Sequence, residues 1–169
     1  MISFLLIVQL ISSGIDKEIT DLAIGKSKEY KVKNSQYAVI IDYSRSILEE
    51  RLYLVDIRSS RIILRSKVSH AWNSGRMYAR DFSNEHDTKK SSLGAYLTEE
   101  IYHGAFGLSL RLTGLDKGIN SNARARAIVF HSDKKMRTAW SYGCFATPEE
   151  VNRRLINLIK GGCLVYVHD

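Results

Sequence analysis

A chain of 169 residues that is 44% hydrophobic, with one proline and no low-complexity tract, is long enough to bury one core and too short for two comfortable ones. Its formal charge of +7 is dispersed among acidic residues rather than massed in a block, which argues for a solvated basic surface and against a nucleic-acid-binding protein. Two cysteines without a paired Cys-x-x-Cys spacing, no His-Glu-x-x-His and no internal repeat leave metal sites and solenoids unsupported.

Residues 2–11 form an apolar stretch followed by Ser12, Ser13 and Gly14. The pattern is that of a secretory leader over residues 1–14, shorter than the ~20 apolar residues that span a bilayer, with a mature start near Gly14 or Ile15. An N-terminal core strand is the open alternative. Residues 15–36 are polar with scattered apolar positions and read as a lead-in of no independent weight, which leaves residues 37–169 as the domain proper.

Residues 37–43 are a β-rich run. Residues 51–57 and 61–68 flank Arg58-Ser59-Ser60 as a hairpin, and their alternation predicts one solvated face. Residues 70–92 make a polar passage too long for an idle loop. Two further strands follow at residues 93–103 and 107–112, then a turn-rich connection over residues 116–124. Ala127-Ile128-Val129-Phe130 reads as a buried strand that delivers His131. The last helix is punctuated by Thr147 as N-cap, Pro148 at the first helical position, Glu150 to close a capping box, and Gly161 past the end. Its Val151, Leu155, Leu158 and Ile159 recur at helical spacing. Cys163 opens a second buried run, where its thiol is a small core group; a disulfide to Cys144 is the other possibility.

Ser141-Tyr142-Gly143-Cys144 arrives thirteen residues after His131 and just ahead of that helix. Cysteine attacks as the thiolate, and a free thiol with a pKa near ~8.5 is only slightly ionised at neutral pH, so a neighbouring imidazole is the usual activator. Gly143 leaves the backbone bare, so that its N–H and those of Cys144 and Tyr142 can face an oxyanion. The helix start would add some positive potential at the sulfur. A buried, inert cysteine beside a structural histidine is the competing reading.

The site lies within a longer pattern. His70-Ala71-Trp72-Asn73-Ser74-Gly75, Tyr78-Ala79, Phe82-Ser83-Asn84 and Lys90-Ser91-Ser92-Leu93-Gly94-Ala95-Tyr96 precede it. Ser109-Leu110-Arg111-Leu112, Gly114-Leu115, Lys117-Gly118-Ile119-Asn120, Asn122-Ala123-Arg124 and Arg126-Ala127-Ile128-Val129-Phe130-His131 lead up to the Ser-x-Gly-Cys motif and the Gly161-Gly162 exit. Over residues 37–169 this order resembles the murein L,D-transpeptidase catalytic domain family. The chain departs from the family in having Ser132 where glycine usually follows the histidine, a shorter connection to the cysteine, and Trp140 where arginine is usual, with Arg137 the nearest arginine.

The resemblance implies a mainly β fold, a mixed β-sandwich or barrel with a C-terminal helix. It implies a cysteine-dependent acyltransferase located in the periplasm or cell envelope, acting on peptidoglycan stem peptides with no cofactor and open to carbapenem-type inhibitors. Cys144 is then the nucleophile, His131 its base, and the Ser132 backbone carbonyl the group that orients the imidazole. Substrate contacts fall to Arg124, Arg137, Ser141 and His70, with Arg126 a further guanidinium for a stem carboxylate. Ser141 has the alternative role of shaping the turn, and His70 that of positioning a loop. Water as acceptor would make the same site an L,D-carboxypeptidase or cross-link hydrolase, and an inert thiol would leave a non-catalytic cell-wall-binding module.

Overall fold

The computed structural model describes residues 4–133 and 140–169, with side chains from residue 14 onward. The protein is mainly β, as the sequence implies. Ten strands are β1 (Tyr37–Asp42), β2 (Leu52–Asp56), β3 (Arg61–Ser66), β4 (His70–Ala71), β5 (Gly94–Gly104), β6 (Gly107–Gly114), β7 (Val129–Ser132), β8 (Trp140–Ser141), β9 (Phe145–Thr147) and β10 (Leu164–His168). Two helices, α1 (Phe4–Tyr30) and α2 (Glu149–Ile159), lie near the two ends of the chain.

Eight strands form one sheet in the order β3-β2-β1-β10-β5-β6-β7-β9, and β4 and β8 pair separately. The last strand, β10, enters the middle of the sheet, parallel to β1 and antiparallel to β5. A hairpin joins β2 to β3 at the expected place, and another joins the two further strands β5 and β6.

Strand alternation divides the apolar side chains between two faces. Val39, Ile41, Leu52, Leu54, Leu110, Leu112, Phe130 and Phe145 belong to the main core, which α2 closes with Leu155, Ile156 and Ile159. Ala38, Ile40, Tyr53, Val55 and Leu164 point the other way, against Ile19 and Ala23 of α1. The face of β2 expected to be solvated is therefore covered, and the polar lead-in is part of a packed helix. α1 also runs through Gly14 and Ile15 without a break. Its polar residues gave the periodicity too little contrast to stand out, although Ile15, Ile19, Leu22 and Ala23 are spaced along one helical face.

α2 forms with the predicted apolar face but a different start. Pro148 occupies the N-cap position, and no side chain caps the helix. Thr147 is instead the last residue of β9, in register with Ser132, and its buried Oγ1 has no hydrogen-bond partner. The capping box is given up because strand pairing claims its first residue. Among the described residues, no helix is long and apolar enough to cross a membrane.

Candidate active site

The sulfur of Cys144 sits at the end of a tightly fastened turn. Ser141 Oγ donates to the Cys144 carbonyl at 2.7 Å and accepts the Gly143 N–H at 3.1 Å. Ser69 Oγ donates to the same carbonyl at 3.1 Å and accepts the Ala146 N–H at 2.9 Å. Gly143 has φ +130°, a conformation that side-chain-bearing residues rarely adopt, so the backbone itself calls for glycine here.

Cys144 is half-buried, and its thiol faces the Ala127 carbonyl at 3.5 Å. Burial pushes the thiol above its ordinary pKa, while the Val129 backbone and the Arg126 guanidinium pull it down. Arg126 is fixed by the carbonyls of Ser83 at 2.7 Å and Lys90 at 2.6 Å, and by Ser92 Oγ at 3.3 Å. It is the arginine beside the thiol.

His131 is supplied by β7, which pairs in parallel with β9. Phe130 is in register with Phe145, both wholly buried, with ring centroids 5.2 Å apart. Alternation therefore turns His131 away from the face that these two rings occupy. Cys144 precedes β9, its thiol lies against the Ala127 carbonyl with the Val129 backbone and Arg126 nearby, and no hydrogen bond joins it to His131. His131 Nδ1 lies 2.9 Å from the Ser132 carbonyl. A carbonyl only accepts, so Nδ1 carries the proton and Nε2 keeps its lone pair.

The Phe106 ring stacks on the imidazole at 4.5 Å, and Ser132 Oγ donates to the Phe106 carbonyl at 3.0 Å. The tip of the β5–β6 hairpin is thus pinned over His131. Only an aromatic residue between Gly104 and Gly107 hinted at this in the sequence.

Other expected site residues lie elsewhere. His70 is wholly buried in β4. Its Nδ1 accepts from Arg51 at 2.9 Å and its Nε2–H donates to the Gly75 carbonyl at 2.8 Å. Burial, with Arg51 adding, drives its pKa from 6.5 to about 4, so it is a neutral strut for the 70–75 segment rather than a substrate ligand. Arg124 is neutralised by Glu99 and Glu100. Both roles of the Ser141 hydroxyl are used inside the turn, and the Gly143 N–H is bonded to it rather than directed at an oxyanion. Tyr142 is 70% exposed, with Lys89 Nζ 4.7 Å over its ring. Arg137 lies outside the described residues. α2 begins five residues after Cys144, with β9 between them, so its dipole has faded at the sulfur. Cys163 is wholly buried, free, and pushed up to about 11.

Among the described residues, no group of three or more His, Cys, Asp or Glu side chains is arranged to hold a metal ion.

Fold and site together define a mainly β domain with an oriented imidazole on β7 and a free thiol in the turn that leads into the neighbouring parallel strand β9. The chain belongs to the L,D-transpeptidase catalytic domain family, whose sequence pattern matches residues 11–168. Among solved structures, a variant of the helical cell shape determining protein Pgp2 from Campylobacter jejuni is similar over 91% of this chain and 56% of that one, at 10% identity and TM-score 0.58. Bd1075 from Bdellovibrio bacteriovorus is similar over 79% of this chain and 48% of its own, at 17% identity and TM-score 0.53. LD transpeptidase LdtMt1 in complex with imipenem is similar over 79% and 59%, at 9% identity and TM-score 0.51. Identities this low establish a common fold, and the chain spans 48–59% of the length of these three structures. No curated protein sequence matches significantly.

Proposed function

We propose that the chain is a peptidoglycan L,D-transpeptidase in which Cys144 is the nucleophile and His131 its base. The observation that carries this reading is the 2.9 Å contact of His131 Nδ1 with the Ser132 carbonyl. With Nδ1–H held by the Ser132 carbonyl, Nε2 is the acceptor, and the pairing of β7 with β9 brings the strand that carries His131 beside the one that Cys144 leads into. The thiol, raised by burial, stays protonated at rest and ionises when that base takes its proton.

Attack by Cys144 Sγ on the carbonyl of the L-centre of the third stem residue, commonly meso-diaminopimelate, forms a C–S bond. The thiol proton passes to His131 Nε2 and then to the nitrogen of the departing D-alanine as the C–N bond breaks. An amine of a neighbouring stem attacks the thioester, losing its proton to the same imidazole, which returns it to the leaving sulfur. The Ser132 carbonyl stabilises the imidazolium, and the Cys144 and Tyr142 N–H groups face the tetrahedral oxyanion. Arg126 stabilises the thiolate rather than binding a stem carboxylate, since three oxygens already hold it. The substrate sets the location in the cell envelope, and the family also supports acylation of Cys144 by carbapenems.

Incubation with purified disaccharide tetrapeptides and analysis of the products tests this. Dimers cross-linked between third residues, absent with Cys144→Ser, are the expected result. D-alanine released without dimers would make water the acceptor, and neither product would leave an inert binding module.

A further inference from the structure

A second surface reaches Trp140, next in the chain to Ser141 of the Cys144 turn. Trp72, Asn73, Gly75, Arg76, Asp81 and Trp140 line a cavity of about 510 Å³. The two indoles meet edge to face, with centroids 4.9 Å apart at 76°, and Trp72 is 57% exposed. Two indoles gathered at one cleft make a contiguous aromatic patch of the kind that marks ligand-binding grooves.

The cleft is held open by its own framework. Trp140 Nε1–H donates to the Arg76 carbonyl at 3.1 Å, and Trp140 pairs with His70 across β4 and β8. The Asn73 N–H donates to the Lys89 carbonyl and its Nδ2 to the Thr88 carbonyl, both at 2.9 Å. At Gly75, φ is +141° and a Cβ would stand 2.1 Å from the Tyr78 carbonyl oxygen, so the floor admits no side chain.

We propose that this cleft is a saccharide subsite that seats a pyranose ring of the peptidoglycan glycan strand beside Cys144, an inference that rests on the substrate reading above. A hexose has one apolar C–H face, suited to an indole, and a rim of hydroxyl and acetamido groups, suited to planar polar side chains. The cleft offers both, through Trp72 and Trp140 on one hand and Asn73, Arg76 and Asp81 on the other. Arg76 and Asp81 carry opposite charges, so the lining is not that of an anion site, and Asp81 is 3.8 Å from Lys90 Nζ. Trp140 stands four residues before Cys144 on the same short segment, so a glycan held here brings its attached stem to the thiol.

The chain has only two tryptophans, and both are in this cleft, so indole signals report on it alone. The full chain carrying Cys144→Ala, which cannot turn over, is titrated with chitotetraose and separately with free stem tetrapeptide, while indole N–H resonances and tryptophan fluorescence are followed. Saturable movement of both indole signals with chitotetraose is expected, with affinity reduced about tenfold in Trp72→Ala and recovered in Trp72→Phe. Absence of a saturable response, unchanged affinity in Trp72→Ala, or indoles moved by the free peptide and not by the glycan would overturn the proposal. Glycan binding without any muropeptide product would sink the transpeptidase reading and keep the subsite; dimers formed without glycan binding would do the reverse.

Discussion

The two cysteines differ in how their surroundings treat a thiolate. Cys144 is half-buried, with a guanidinium near it, whereas Cys163 is sealed in the core and pushed up to about 11. Iodoacetamide at about pH 8 is therefore expected to alkylate Cys144 in the native protein and Cys163 only after unfolding. Peptide mass mapping checks this, and Arg126→Met should slow the native reaction, because the guanidinium that pulls the thiol pKa down is gone. His70 makes the opposite use of burial. Its folded pKa of about 4 lies below the ordinary 6.5, so the neutral form is favoured on folding. Its contribution to stability is complete above pH 6.5 and is lost as pH falls toward 4. Thermal unfolding across that window, compared with His70→Asn, should show the wild type losing more stability; Arg51 and Tyr43, which also face the ring, are charged and neutral respectively throughout. The proposed roles of Cys144, His131 and Ser132 come from the family pattern, whose residues lie close together in the chain. That pattern did not separate Arg124 from Arg126, since which of the two reaches Glu99 and which the thiol depends on where β5 and the 83–92 segment lie.

Among elements, the strands were readable because alternation is a short-range signal, and the first hairpin falls where Arg58-Ser59-Ser60 predicts it. α1 was missed because its value is tertiary: Ile19 and Ala23 matter only once Ala38, Ile40 and Val55 offer a face to cover. Ile19→Asp, which places a charge in that contact, should cost about 3 kcal/mol in denaturant unfolding and leave thiol alkylation at Cys144 intact. Thr147 separates the two readings of the α2 start. A working N-cap would lose about 1 kcal/mol on replacement. A buried hydroxyl without a partner predicts instead that Thr147→Val is neutral or stabilising, since an unpaired polar atom leaves the core. Chemical denaturation of the two proteins decides between them.

For the molecule as a whole, the decisive feature is the parallel pairing of β7 and β9, which sets His131 beside Ala146, two residues after Cys144. The family pattern in the sequence conveyed that the two residues belong together. The clamp of Ser69 and Ser141 on the Cys144 carbonyl and the Phe106 lid on the imidazole come from segments remote in the chain, so no local pattern announced them. The most direct measurement is mass spectrometry of the protein quenched during turnover of a tetrapeptide donor. A tripeptide acyl adduct on the Cys144 peptide, absent in His131→Ala at neutral pH, is the predicted result; no adduct, or an adduct on Cys163, would contradict it.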